Sequence, residues 1–524
     1  MTTRNAVLEM YLSGAWTTVP LYSAAGVTIT RGHEPDGSWP RPTRIDCEIN
    51  NDSLNYDPSR PQSTLYGIAG RNTKTRVTVD TNQRVWAEAS SWQPDKTPEH
   101  VSGANKGRSW TKLVAEGVLR RIGMWTDPLR SPMYRTISAR STNIGHWSLE
   151  DDRDALTLAN SASSGAATYK GGVTLGESEA AQGAAQTVKV VTGSQITGRF
   201  VSAGISTTAG WQVSFSARLP ALPGSATYEP LLTWTTSNGY TWSWLINNAN
   251  YFISVVDATG TTLYNNGTAF STNGAPTDWM TFRLKASVSG GTVTIEPAWY
   301  RQNFPVVTGF TDTFAGSVGA LRQMQQVGGV HTNGAWFSHI FAVTGLTDAL
   351  TSGTAIAVFN GYLNEPAGTR FLRLCTELGI QGYMIGASTD TTLMGPQRAV
   401  TFLELLKEIR NTEDGRIDDE RFDIALTMRT RRVMYNQTAA LTLTYPAQVA
   451  VPFNKILDDL NTHNVVTVKN TSGGEVTASL TTGPMSVLAP PAGVGEYKQT
   501  VDVNVANEST QLLDIATWHR AKGT

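Results

Sequence analysis

The stretch Ile45-Asp46-Cys47-Glu48-Ile49-Asn50-Asn51-Asp52 decides the fold, read together with Tyr56-Asp57-Pro58, Tyr66-Gly67, Gly70-Arg71-Asn72-Thr73 and Arg76-Val77-Thr78-Val79. Val27, Ile29, Ile45, Cys47, Ile49, Val77 and Val79 alternate with polar residues. A period of two marks half-buried strands. Between Asn50 and Asn72 the chain is punctuated by Asn, Asp, Pro and Gly, so the reading is strand, long surface loop, strand. Upstream, residues 6–22 form a hairpin about Ser13-Gly14. Downstream, Trp86, Trp92, Pro94 and Pro98 read as an irregular connection. Leu113 to Met124 reads as strands or one short helix, and residues 127–146 as a short helix and linker.

The composition fits a β-rich structural protein. Charged residues make up 16% of the 524-residue chain, which also holds 48 Gly and 15 Trp; about 25% charged is ordinary for soluble domains. A net charge of −1 supplies no basic field for nucleic acid or an anionic membrane. Cys47 and Cys375 lie far apart in apolar patterns and read as buried free thiols. The start, Met1-Thr2-Thr3-Arg4-Asn5, lacks a signal-peptide pattern, and no apolar run approaches ~18 residues. The expectation is assembly in a cytoplasm, without a stable membrane anchor.

A charge-poor segment interrupts the chain. Residues 165–350 hold 16 charged side chains, about 9%, against about 20% elsewhere, and seven of the Trp. Its alternating runs include Trp211–Ala217, Leu231–Thr235, Thr241–Ile246, Tyr251–Val256, Met280–Lys285, Val293–Glu296 and Trp336–Val343. Turn signals separate them at Ser237-Asn238-Gly239, Ala258-Thr259-Gly260 and Gly290-Gly291. Many short strands with regular turns give a sandwich. After Gly345 the pattern changes. Phe359–Leu363 reads as a short strand, Ala367–Leu378 as a helix stopped by Gly379, and Thr401–Arg410 as a helix with a Thr401/Glu404 capping box. Ile424–Arg431, Ala440–Tyr445 and Asn464–Val468 read as strands, and Ser509–Ala521 as a last helix.

These residues carry a family resemblance. Ile29-Thr30-Arg31-Gly32, the loop from Asn50 to Gly67 and Gly70-Arg71-Asn72-Thr73 resemble the ITRG, LNNxDGRYSPxNPxSPYYG and GRNTxVRV marks of minor tail or baseplate hub proteins of actinobacterial tailed phages. Ser53-Leu54 departs from that pattern, and Leu65-Tyr66 stands where the family has an aromatic pair. Ile144 to Asp151 resembles the YWPLED entry of concanavalin-like (LamG-like) modules in such proteins, with His146 and Ser148 for Tyr and Pro. Arg373-Leu374, Gly379-Ile380, Thr401–Ile409, Asp414–Ile417 and the terminal helix with Trp518 resemble the hub's C-terminal marks.

The resemblance implies a mainly β fold with a smaller α+β part, in which β-barrel-type hub domains carry an inserted β-sandwich (jelly roll). The expected division is 1–143, 144–350 and 351–524. It implies a structural virion protein of the phage tail tip or baseplate, assembled in the bacterial host cytoplasm. The partners would be copies of itself in a trimer, distal tail and tail-tube proteins, and other tip proteins. An outward sandwich would bind host-surface glycan or a neighbouring tip protein. The alternatives are a cell-wall glycan hydrolase and a free carbohydrate-binding adhesin.

A search for chemistry gives no catalytic residues, no metal ligands and no cofactor. The seven His (33, 100, 146, 331, 339, 463, 519) include no His-x-x-x-His pair, and His331 and His339 read as ordinary packing or surface residues. There is no Gly-x-Ser-x-Gly elbow and no phosphate-binding loop ending in Gly-Lys-Ser/Thr. Glu150–Asp154 and Asp418-Asp419-Glu420 read as solvated turns, although paired carboxylates are what sugar hydrolysis needs. Sugars stack on aromatic rings and bond to amides. Trp234, Tyr240, Trp242, Trp244 and Asn247 cluster in one hairpin and are the glycan candidates, against the reading that this face is core. A loop of more than 20 residues needs something to order it. Asn51, Tyr56, Arg60, Tyr66, Arg71 and Asn72 are therefore the candidates for contact with a neighbouring subunit.

Overall fold

The computed structural model describes residues 5–22, 26–33, 39–80, 83–97, 108–162, 165–200, 208–270, 275–449, 451–452, 459 and 461–524. Pro98, His100 and Asp458 lie outside the described residues. The fold is mainly β with a few helices. It divides into two compact units. Unit 1 is Met1–Asp127, Glu365–Met394 and Thr401–Thr524; unit 2 is Pro128–Asn364 with Gly395–Val400.

Unit 1 begins with seven strands: β1 (Ala6–Leu12), β2 (Ala15–Val19), β3 (Thr28–His33), β4 (Pro40–Asn50), β5 (Lys74–Val79), β6 (Gln83–Pro94) and β7 (Trp110–Glu116). Their order is β2-β1-β5-β6-β7-β4-β3. Just beyond β2, Leu21 bridges Ile49 of β4. The Tyr22 N–H donates to Glu48 O at 2.8 Å and the Asn50 N–H to Pro20 O at 2.9 Å. The sheet thus closes on itself, which removes the open edge a flat sheet would expose. The alternating residues fill the inside: Leu8, Met10, Ile45, Cys47, Ile49, Val77, Val85, Ala87, Leu113 and Ala115 are buried. Cys47 and Cys375 are both buried and free.

The segment read as an irregular connection is β6, the longest strand of this sheet. Val85, Ala87 and Ala89 point inward and Trp86 lies on the other face, while Trp92, further along the strand, packs back against the core. Trp86 and Trp16 meet edge to face at 4.7 Å, with the Arg76 guanidinium 4.2 Å from the Trp16 ring. A register shift between Ala89 and Ser91 absorbs the irregularity.

The C-terminal segments complete unit 1. Helices α4 (Ala367–Glu377) and α5 (Phe402–Glu413) pack beside the sheet β25 (Gln381–Ile385), β28 (Ala425–Arg429) and β27 (Arg416–Asp419). The Thr401/Glu404 capping box is present, and α5 runs on to Glu413 before Asp414 turns left-handed at φ +52°. A last sheet, β30 (Glu475–Ser479), β29 (Val465–Asn470) and β31 (Lys498–Val503), is covered by α7 (Glu508–Lys522). Ala440–Tyr445, read as a strand, is not one: residues 435–448 are exposed throughout. Alternation makes a strand only where a ladder partner exists, and none stands here among the described residues.

Asp419 ties the first and last segments of unit 1 together. One carboxylate oxygen accepts the Thr43 N–H at 2.7 Å and the other the Leu119 N–H at 2.9 Å. Leu119 lies in the first turn of α1 (Val118–Gly123), whose N-cap Gly117 has no side chain to cap it. Asp419 supplies that cap from 300 residues away. Arg31 donates to the Asp419 carbonyl at 2.8 Å. Trp86 and Arg421 add a second tie, since the Trp86 N–H donates to Arg421 O and Arg421 Nε to Arg84 O. Trp125 stacks on Phe402 at 6.2 Å.

Unit 2 is a two-sheet sandwich. One sheet runs β10 (Thr174–Glu177), β11 (Thr187–Lys189), β23 (Trp336–Val343), β13 (Gly210–Arg218), β18 (Met280–Ser289), β19 (Thr292–Arg301) and β20 (Val307–Gly309), with β8 (Asn143–Trp147) on β23 and β21 (Asp312–Ala315) on β19. The other runs β17 (Thr262–Ala269), β16 (Asn250–Val256), β15 (Thr241–Ile246), β14 (Glu229–Thr236), β22 (Leu321–Val327), β12 (Gln195–Arg199) and β9 (Thr168–Lys170). Two short helices, α2 (Pro132–Ser138) and α3 (Gly353–Phe359), belong to this unit and bury Met133, Ile137, Val358 and Phe359 with Tyr300 and Phe341. Phe359–Leu363, read as a strand, is the end of α3 and a turn, with Gly361 and Tyr362 at positive φ.

Gly117 tests the tie in unit 1. A Cβ built there meets Asp419 Oδ2 at 1.9 Å. Asp419 is buried and holds two amides, so it has no room to retreat. Gly117→Ala is expected to destabilise unit 1 by about 1–3 kcal/mol in urea unfolding; an unchanged midpoint contradicts the tie.

Candidate functional site

The glycan candidates resolve into core and turn. Trp234, Trp242 and Trp244 are 0%, 0% and 1% exposed. Trp242 packs edge to face on Trp211 at 5.0 Å, and Trp244 on Phe282 at 5.3 Å. Their alternation with Thr235, Thr241 and Ser243 turns all three indoles between the two sheets, so they offer no ring face to a sugar. Asn247 is 5% exposed and spends its amide on the chain itself. Its Oδ1 accepts the N–H groups of Ala249 and Asn250, and its Nδ2 donates to Ala226 O. Tyr240 is half-buried against the same core. The pattern that suggested a sugar platform is the inward face of β14 and β15.

The loop from Asn51 to Asn72 is ordered by its own barrel. Asn51 is buried, its N–H donates to Ser109 O and its Oδ1 accepts the Tyr56 N–H at 2.7 Å. Asp57 Oδ1 accepts the Ser59 N–H, and Ser63 and Thr64 hydroxyls both donate to Asn55 O. Leu65 is buried, and the Trp92 indole N–H donates to Gly70 O. Asn72 sits at φ +64° and accepts from Arg120 at 2.6 Å. Tyr56 packs on the barrel core and Arg60 is half-buried. The ordering therefore needs no neighbouring subunit. Tyr66, Ile68, Arg71 and Asn72 remain exposed, with Tyr66 at 53% and Ile68 at 50%.

A cluster that sequence reasoning missed lies in unit 2. His146, His339 and Glu150 are all buried, which corrects the reading of Glu150 as part of a solvated turn. His339 Nε2 lies 3.1 Å from Glu150 Oε1, and His146 Nε2 lies 3.0 Å from His339 Nδ1. His146 Nδ1 meets Ser161 Oγ at 2.5 Å, and the Ser138 hydroxyl donates to Ser161 Oγ at 2.8 Å. A carboxylate can only accept, which fixes the His339–Glu150 bond. His339 donates to Glu150; with His339 neutral, His146 donates to His339 and Ser161 to His146. His339 reaches this position because a bulge in β23, opposite Ser214 and Ser216, places it at φ +48°. No short motif announces such a cluster, since its members are 146, 150, 161 and 339.

The electrostatics follow from burial. Burial, with the second imidazole, lowers the His146 pKa well below its ordinary value. Burial alone would raise Glu150, but His339, Ser131 and the Ala185 N–H together hold it below the usual carboxylate range. The second charged run, Asp418-Asp419-Glu420, is likewise no solvated turn, since Asp419 is buried and burial pushes it up to about 6. Among the described residues no group of three or more His, Cys, Asp or Glu could hold a metal ion.

No family model matches the sequence, and no curated protein matches it. Among solved structures, the chain is similar to the receptor-binding domain of botulinum neurotoxin mosaic serotype C/D, at 12% identity and a TM-score of 0.34 over 44% of this chain and 52% of that one. The binding domain of botulinum neurotoxin DC in complex with rat synaptotagmin II aligns at 12% identity and a TM-score of 0.31, over 44% and 55%. The chain thus spans about half the length of these structures. Alignments at such TM-scores leave fold and function to be argued from the chain's own geometry.

The imidazole chain makes unit 2 acid-sensitive. His146 is held neutral when folded and protonates readily when unfolded, so its contribution is full above pH 6.5 and is lost as pH falls. The expected loss is about 1.4 kcal/mol per pH unit below 6.5 until His146 protonates in the folded state. Urea unfolding of the wild type and His146→Gln at pH 7.5 and 5.5 checks this. The variant should lack the wild type's extra acid slope, and equal slopes contradict the assignment.

Proposed function

We propose that this chain is a structural protein of a phage tail tip, an oligomeric hub at the end of the tail tube with its sandwich as a recognition module. The observation that carries the reading is the split construction of unit 1. Residues before and after unit 2 form one body, tied by Asp419 to Thr43 and Leu119. A scaffold that keeps its own closed barrel and core while hosting a complete sandwich is the arrangement the hub resemblance implies. Mechanism here means assembly and adsorption, with no bond made or broken.

In this reading the exposed Tyr66 and Ile68 on the ordered loop are subunit contacts, since large apolar side chains held rigidly at a surface suit an interface. With its tryptophans in the core, the sandwich recognises glycan or a neighbouring tip protein elsewhere. The groove of about 250 Å³ lined by Leu222, Ser225, Val330, His331 and Asn333 is the place open to it. His331 is fixed there by its N–H donating to Glu229 and its Nε2 meeting Thr227 O at 2.8 Å.

Light scattering of the purified chain, alone and with its tail-tube protein, tests the proposal. The expected result is a closed oligomer, a trimer, that binds the tube protein. Tyr66→Asp with Ile68→Asp should abolish assembly while leaving circular dichroism unchanged. A strict monomer that never joins tube protein overturns the reading.

A further inference from the structure

Two hairpins of unit 1 turn arginines into one groove. Its volume is about 530 Å³. The β3–β4 pair contributes Arg31 and Arg41, and the β27–β28 pair contributes Arg416 and Arg429. Asp418 and Asp419 are the acidic residues of the lining, which also includes Val433 and Met434.

The pairing of Arg416 with Arg429 breaks a rule of sheet design. They are direct partners across antiparallel β27 and β28. Like charges directly opposite each other destabilise a sheet. Arg416 Nε donates to Asp418 at 2.6 Å, which relieves one of the two. Arg429 is exposed and has no acceptor among the described residues. A local rule only half compensated among the described residues points to a further partner.

The rest of the lining is already set in place. Arg31 donates from Nε to Thr43 Oγ1 at 3.2 Å and from its terminal nitrogen to Asp419 O at 2.8 Å. Both Asp419 oxygens are taken by the amides of Thr43 and Leu119. Four arginines against two aspartates leave a formal excess of two positive charges.

We propose that this groove binds a divalent oxyanion of the phosphate class, held by Arg31, Arg41, Arg416 and Arg429. The planar guanidinium fork matches tetrahedral and planar oxyanions in bidentate geometry. The charge excess suits a divalent group better than a single carboxylate. The anion would sit between Arg416 and Arg429 and cancel their repulsion, so binding and stability are linked. The inference stands on unit 1 alone and does not depend on the tail-tip reading.

Thermal unfolding of the full chain in pyrophosphate, against sodium chloride at matched ionic strength, tests it. The wild type should melt a few degrees higher in pyrophosphate. Arg429→Gln should melt higher than wild type in chloride, because the facing charges are gone, and should lose the pyrophosphate response. Its apparent Kd should weaken roughly tenfold or more. Lys498→Gln, at an exposed position of β31, should keep the response. Equal shifts in chloride, an Arg429→Gln protein that still responds or is less stable in chloride, or loss of response in Lys498→Gln each overturn the proposal.

Discussion

Unit 1 depends on one buried carboxylate. The Asp419 side chain lies where a cap for α1 would stand, and Gly117 leaves the space for it. Its two oxygens hold one amide of β4 and one of α1, so a residue near the C-terminal third of the chain completes backbone hydrogen bonding in the first. A buried carboxylate without such partners is costly. Burial pushes Asp419 up to about 6 even against two amides and Arg31, a measure of how dry the junction is. The same residue fixes Arg31 through its carbonyl and so shapes the arginine groove beside it.

Unit 2 is held by a different kind of interaction. Its centre is aromatic, with Trp211, Trp234, Trp242, Trp244, Phe282 and Trp299 packed edge to face or stacked between the sheets. Ring pairs of this kind add about 0.5–1.5 kcal/mol each beyond the area they bury. Against that apolar interior, the Ser161–His146–His339–Glu150 chain is a continuous polar seam. Such networks rigidify a structure when filled and weaken it when a proton is added.

The sequence was most legible where its period matched a buried face. Strands β13 to β16, β18, β19 and β23 of the sandwich, the first hairpin, α4, α5 and α7 follow directly from alternation or helical spacing. β6 was hidden because Trp86 occupies an outward position and the shift between Ala89 and Ser91 breaks the alternation before Trp92 returns to the core. Ala440–Tyr445 misled in the opposite sense, since Leu441 and Leu443 alternate with threonines but have no strand beside them. Among site residues, periodicity cannot say which side of a strand is core, so Trp234, Trp242 and Trp244 carried two readings until burial separated them. The partners of Asp419 and His339 lie hundreds of residues away, and no local pattern encodes such separations.

The chain on both sides of unit 2 folds as one cooperative body tied by Asp419. Hydrogen exchange of the full-length chain, wild type against Asp419→Ala, tests it most directly. Amides of β4 and α1 and amides of β27 and β28 are expected to lose protection together. Protection in β13 to β16 of the sandwich should be unchanged. Loss confined to one side of unit 1, or no loss at Thr43 and Leu119, would contradict it.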